Sequence, residues 1–306
     1  MIFAGIDPGS TTYGVALIDQ TGRLVRYEEY LTDLVEKDSS SIINFILKYK
    51  PSLVALPSGH GLPFIRSKDI DEFKIFLMTL SLTDKGPLHS FLRASRLMNG
   101  VTIPSVIELT SVPSHRKKNM IDLGTADKVA SAFFYRSMFD SFVLVEAGSK
   151  FISVLVVFGG VIVDGLGGST LPGSAGFMDG ELAYIMSQHK NLTKRTIYSS
   201  GEFKRALEIV EIFSTYYSRL YNIPIIVSGK RKDEVPFGKK FHFRFKEASV
   251  GAAYIASAIS GFRFKEYIEM LYSSGTAIDY VEIEEWGEVI TWIKTRFQTK
   301  TETSDS

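Results

Sequence analysis

The sequence contains no cysteine, which removes disulfides, thiolate nucleophiles and thiolate-held metals at once. Only 5 His occur among 306 residues, and none stand at metal-ligand spacing. No apolar run reaches the roughly 20 residues that cross a bilayer as a helix. The best candidate, residues 142–158, is interrupted by Glu146, Ser149, Lys150 and Ser153. Residues 1–7 lack the basic segment and cleavage site of a signal peptide, so a cytoplasmic location is expected. Charge of one sign is also missing: 35 Lys plus Arg face 34 Asp plus Glu, a net +1. A protein that coats nucleic acid needs a basic surface, so nucleic acid is disfavoured as a partner, with a local basic patch still open, and the interrupted apolar run disfavours a membrane. The oligomeric state is not fixed by the sequence, and a homodimer stays open.

What is present is pattern. Residues 2–6 are an apolar run, 13–18 are mostly apolar and 24–30 alternate, which predicts a three-stranded meander turned at Asp19-Gln20-Thr21-Gly22. Residues 39–49 put Ile42, Ile43, Ile46 and Leu47 on one helical face, and 52–56 read as a buried strand. A helical stretch at 69–98, broken at Lys85-Gly86-Pro87, leads to an expected strand at 102–109 and a helix at 125–138. At Phe142 the plan begins again, with strands at 142–146, 151–158 and 161–166. Helices at 180–187 and 201–221, a strand at 225–227 and a helix at 248–260 follow. Such duplication predicts two similar halves facing a cleft, with tandem halves lacking a shared cleft as the alternative. The expected domains are 1–140 and 141–297, followed by a polar disordered tail at 298–306.

Two turns carry the chemistry. In Gly5-Ile6-Asp7-Pro8-Gly9-Ser10-Thr11-Thr12 an acid at a strand end precedes a glycine turn and three hydroxyls. Such a turn offers N–H and O–H donors to phosphate oxygens while the acid holds Mg²⁺ through water; an ordinary hairpin turn is the alternative. Val145-Glu146-Ala147-Gly148-Ser149 repeats the arrangement. Two such turns facing each other would clamp a polyphosphate with its magnesium ion, and phosphoryl transfer rests mainly on positioning and charge neutralisation. Two loops are candidates for substrate. His60, in Pro57-Ser58-Gly59-His60-Gly61, could bind or protonate a ligand or be a solvent-exposed turn. Arg116 and Lys117 could bind a carboxylate or phosphate or be a solvated basic loop.

These motifs resemble those of the acetate and sugar kinase/Hsp70/actin superfamily. Asp7–Thr12 looks like its first phosphate motif and Glu146–Ser149 like its second. Gly165-Leu166-Gly167-Gly168-Ser169-Thr170-Leu171-Pro172-Gly173 is similar to the Gly-Gly…Pro-Gly segment of type III pantothenate kinases. Gly124-Thr125-Ala126-Asp127-Lys128 resembles their helix start, whose Asp serves as base. Val227-Ser228-Gly229-Lys230 looks like an adenosine-motif strand and turn, and Gly251-Ala252-Ala253 like the helix after it. Asp179-Gly180-Glu181 resembles a butyrate kinase segment. The whole, over about residues 2 to 260, most resembles an archaeal family described as predicted butyrate kinases. Departures are Glu146 in place of the usual Asp, Lys128 in place of Arg, and the single glycine of the adenosine turn.

The resemblance implies an α/β fold of two ribonuclease H-like (actin-like ATPase) domains facing a nucleotide cleft, with ATP and Mg²⁺ as cofactors. Asp7 and Glu146 would organise the metal. Gly9, Ser10, Thr11, Thr12, Gly148, Ser149 and Gly168 would hold phosphates, and Ser228 and Gly229 would border adenosine. Asp127, with Asp7, would be catalytic, and His60, Arg116 and Lys117 would meet a small acceptor, a short carboxylic acid being favoured. Two rivals remain: a nucleotide-binding regulatory protein of the same fold without turnover, and a Holliday-junction-resolvase-like nuclease, whose family also opens on Gly-Ile-Asp-Pro-Gly.

Overall fold

A computed structural model describes residues 1–302 except 84, 190 and 191, and residues 298–302 by their backbone alone. The described strands form two five-stranded sheets. The first contains β1 (Ile2–Pro8), β2 (Thr12–Asp19), β3 (Leu24–Leu31), β4 (Leu53–Ala55) and β5 (Gly100–Val101), in the order β3-β2-β1-β4-β5. The second contains β6 (Phe142–Ala147), β7 (Ile152–Phe158), β8 (Val161–Leu166), β9 (Ile225–Ser228) and β10 (Lys239–Lys240), in the order β8-β7-β6-β9-β10. In each, three strands make an antiparallel meander, a fourth joins the first of them in parallel, and a fifth joins the fourth in parallel. The duplication read from the sequence is therefore the architecture, an α/β fold of two ribonuclease H-like halves.

The central strands β1 and β6 are buried almost throughout, as befits strands covered on both faces. Between the sheets lie two helices, Ala126–Arg136 and Glu247–Ile259. Their Val129, Phe133, Ala252 and Ala256 join Phe3 and Leu53 of one sheet to Leu144 and Leu155 of the other in a single core. The approach is close. A Cβ on Gly251 would stand 1.8 Å from the Ala130 carbonyl oxygen, and one on Gly5 of β1 would stand 2.1 Å from the Ala253 nitrogen. Outside, Ile42 and Ile46 of helix Ser40–Lys48 cover the first sheet, and Ala206 and Val210 of helix Phe203–Tyr221 cover the second. Leu47, expected on the buried face, is exposed.

Three further expectations about the fold differ from the structure. No strand spans 102–109: β5 stops at Val101, Pro104 lacks the N–H a strand would donate, and Ser105 and Glu108 form a capping box on the 3-10 turn Val106–Glu108. Nor does the chain divide in space at 140/141. Helix Glu247–Ile259 lies against β1, and the final helix, Trp286–Glu302, returns to the first half, where Phe297 meets Phe76 at 4.9 Å between ring centroids. That helix also runs through the first residues of the expected disordered tail; residues 303–306 lie outside the described residues.

Gly251→Ala forces the helix crossing apart, and overpacking of this kind costs about 1–3 kcal/mol or more. Gly287→Ala, which meets nothing within 4 Å, serves as the control. Urea denaturation of both variants should show a loss only for Gly251→Ala; equal midpoints would mean that the crossing tolerates a methyl group.

Candidate functional site

Because β1 and β6 occupy equivalent places, their carboxyl ends deliver equivalent residues. Asp7 and Glu146 both line one cleft of about 1070 Å³ between the halves, together with Gly9, Ser10, Thr11, Thr12, Gly148, Ser149, Gly168, Ser228, Gly229, Asp127 and His60. More Lys and Arg than Asp and Glu side chains line it, which suits an anionic ligand. The two core helices both begin here: Thr125 and Lys246 are their N-cap residues.

The floor is a chain of ion pairs. Lys128 Nζ donates to Asp127 Oδ2 and to Glu146 Oε1, both at 2.6 Å, and Thr125 Oγ1 donates to Asp127 Oδ1. Burial opposes ionisation of Asp127, but the Lys128 charge and these hydrogen bonds hold it below the usual carboxylate range. Glu146 goes the other way: burial outweighs Lys128 and pushes it up to about 7. Burial works against the Lys128 charge as well, yet Asp127 and Glu146 together hold that ammonium above its ordinary value. Asp7, also buried, is raised despite Lys246 Nζ at 3.2 Å.

The turns themselves are built by backbone constraints. Gly229 has φ +92, and a Cβ there would stand 2.4 Å from the Ala147 carbonyl oxygen, so only glycine seats the β9 turn on the end of β6. In the first turn, Thr32 Oγ1 donates to the Gly9 carbonyl at 2.8 Å. Thr12 Oγ1 donates to Glu29 Oε2 at 2.7 Å, so the hydroxyls of Ser10 and Thr11 are the exposed ones. His60, between two glycines of positive φ, is in the cleft rather than on an open turn, and burial lowers its imidazole below the ordinary value.

Arg116 and Lys117 are not part of this cleft. Arg116 forms a two-pronged pair with Asp164, at 2.8 Å from Nε and 2.7 Å from Nη2, and Tyr217 donates to the same carboxylate. Lys117 Nζ donates to the Leu109 carbonyl at 2.7 Å and lies over the Tyr280 ring. The pair expected to meet an acceptor thus has internal partners. Asp179 likewise caps the exposed helix Gly180–His189 through the N–H groups of Glu181 and Leu182.

Sequence reasoning missed three cleft residues. Asp122 accepts from Ser169 N at 3.0 Å, Ser169 Oγ at 2.7 Å and Gly124 N at 3.1 Å, tying the glycine segment after β8 to the loop before Asp127. Lys194 Nζ reaches across the halves to the Thr79 carbonyl at 2.8 Å. Lys246 lies under the first turn. Asp122, five positions before Asp127, could have been suspected; the other two stand in no motif.

Whether magnesium suits the site can be judged from its acceptors. Glu146 is registered beside Ser153 and Ser228, and Glu146 Oε2, Ser153 Oγ and Ser228 Oγ are buried without a hydrogen-bond partner. Orphaned acceptors of this kind call for a water or a metal-bound water. Among the described residues no group of three His, Asp or Glu forms a metal cage. Asp7 and Glu146, which line this cleft, are the residues that could hold a magnesium ion through water.

The two sheets and the interposed helices define a two-domain α/β fold of the actin-like ATPase type. Within it, the chain belongs to the family described as "Protein of unknown function (DUF1464)", which it matches over residues 5–283. In three dimensions it is similar to acetate kinase from Entamoeba histolytica, with 11% identity, a TM-score of 0.51 and coverage of 77% of this chain and 83% of that one. A propionate kinase from Francisella tularensis (13%, TM-score 0.49, 76% and 84%) and a ROK family glucokinase from Streptomyces griseus in complex with glucose and AMPPNP (11%, TM-score 0.45, 84% and 99%) are also similar. At these identities the likeness is one of fold. No curated protein matches the sequence. Among the described residues no helix is long and apolar enough to cross a membrane.

Removing one partner of a buried charged pair leaves the other unsatisfied. Asp164→Ala should therefore lower stability by about 2 kcal/mol, a figure reduced for the partial exposure of Arg116. In the same chemical-denaturation series, Arg116→Ala should lower stability without altering ligand affinity. A specific loss of ligand binding in Arg116→Ala would return that residue to the site.

Proposed function

We propose that this protein is an ATP-dependent phosphotransferase that acts on a small molecule, with a short carboxylic acid as acceptor. The carrying observation is that Asp7–Thr12 and Glu146–Ser149 end the equivalent central strands of two identically ordered sheets and line one cleft with Asp127. In this reading Gly9, Ser10, Thr11, Gly148, Ser149 and Gly168 contact phosphates, while Ser228 and Gly229 border the adenosine. Magnesium, when bound, supplies charge neutralisation on the phosphate chain, with Asp7 and Glu146 holding it through water.

The state of Asp127 supports the acceptor class. A carboxylate held below its usual range is a weak base, and general-base catalysis favours a group whose pKa lies near the working pH. A carboxylic acid acceptor, ionised at neutral pH, needs no base. Lys128 offsets the charge of Asp127 that would otherwise repel such an acceptor, and Lys194 and His60 offer it donors in place of Arg116 and Lys117. The engagement of both strand-end acids by lysines also suits the second reading, a nucleotide-binding regulatory protein without turnover.

ATP with magnesium should raise the melting temperature, as a ligand selective for the native state does, and ADP release should follow on a panel of short carboxylates. Binding without release from any acceptor in a panel that also holds pantothenate and sugars would select the regulatory reading. Asp7→Asn should abolish turnover while leaving the fold intact by circular dichroism. With a carboxylate acceptor, Asp127→Asn should retain activity within about tenfold. A loss on the order of 10²–10⁴-fold, the usual contribution of a positioned base, would replace it with a hydroxyl acceptor.

A further inference from the structure

The first phosphate turn carries its own cation. Lys246 Nζ stands 3.2 Å from Asp7 Oδ2 and donates to the Thr12 carbonyl. Its backbone N–H donates to the Tyr27 hydroxyl at 3.2 Å, Tyr27 donates to Glu29 Oε1 at 2.7 Å, and Glu29 Oε2 accepts from Thr12 Oγ1 at 2.7 Å. The lysine is thus fixed to the turn from both ends. A Cβ at Gly9 would stand 2.7 Å from the Lys246 ammonium nitrogen, so the glycine of the turn makes room for the ammonium as well as for a ligand. The side chain keeps 26% of its exposure and opens on the cleft. An ammonium has three donors; Asp7 and Thr12 take two of them, and among the described residues no acceptor takes the third.

Charge explains why a lysine is needed here. Asp7 is a buried carboxylate directly beneath a turn that in this reading holds a polyanion, and like charges at such range repel strongly in a site of reduced dielectric. Lys246 cancels that repulsion and presents its remaining donor toward the 9–12 turn. We propose that Lys246 binds the phosphate chain of a nucleoside di- or triphosphate on this turn, a role that rests on the nucleotide reading given above. A lysine that only braced Asp7 would act on stability and on all ligands alike.

The test is calorimetric titration of ATP, ADP and adenosine into the full-length protein and its Lys246→Met, Lys246→Gln and Lys246→Arg variants, with thermal unfolding of each. Loss of a charge-assisted hydrogen bond should weaken ATP and ADP binding about 10–100-fold in Lys246→Met. Adenosine affinity should change less than about threefold, and Lys246→Arg should retain most of the ATP affinity. Lys246→Gln, which can keep the bond to Thr12 without the charge, should match Lys246→Met and gives the same comparison should the methionine variant unfold. Equal losses for adenosine and ATP, or none, in a folded variant overturn the role of Lys246 alone. A wild-type protein that binds none of the three overturns the nucleotide reading and this role with it.

Discussion

Where Gly251 meets the Ala130 carbonyl, two helices approach more closely than any side chain would allow, and the spacing of the two sheets follows from that contact. Helix–helix distance is set by the residues at the crossing, and a glycine against a backbone oxygen brings the axes to the near limit. Both helices start at the cleft. One brings Thr125, Asp127 and Lys128, and the other brings Lys246 and Glu247. Tyr135, near the far end of the first helix, donates to Glu247 at the start of the second at 3.2 Å, a polar tie added to the crossing. The cleft is therefore shaped by the same packing that joins the halves.

Within it, charge is arranged in alternation. Asp7 and Glu146 are buried and Asp127 half-buried, and carboxylates withdrawn from water demand cations or protons. Lys246 and Lys128 meet that demand, but unequally: Asp127 is kept ionised, whereas Glu146 is lifted toward neutral pH by burial. Two carboxylates bound by one ammonium, that of Lys128, thus differ in character, and the hydrogen bond from Thr125 to Asp127 is part of the difference. A ligand that brings negative charge meets ammonium groups already in place.

Much of this was legible in short stretches of sequence. The strand ends at Asp7 and Glu146, the glycine turns after them, the helix start at Asp127 and the turn at Gly229 each depend on neighbours within a few residues, and all of them gather in the cleft. Failures came where the deciding partner is distant. Arg116 looked available because Asp164, which holds it, is 48 positions away, and Lys246 went unnoticed because its contact with Thr12 spans 234. The strand expected at 102–109 failed for a local reason instead: its apolar composition was right, but Pro104 and the Ser105–Glu108 capping box favour a turn. Composition reports burial, and only hydrogen bonding decides the backbone shape that achieves it.

The return of the chain to its first half has a consequence for how the molecule is made. The second sheet is continuous in sequence from Phe142 to Lys240, whereas the first half needs helix Glu247–Ile259 on β1 and Phe297 against Phe76. During synthesis, which proceeds from the N-terminus, the strands of the first sheet emerge early but lack the cover for one face until helix Glu247–Ile259 has left the ribosome. The later half can close on itself first, and the earlier half is completed around it. Vectorial order is thereby reversed: the part translated first is the part finished last, and a truncated chain would leave an apolar sheet face uncovered rather than merely lose a tail.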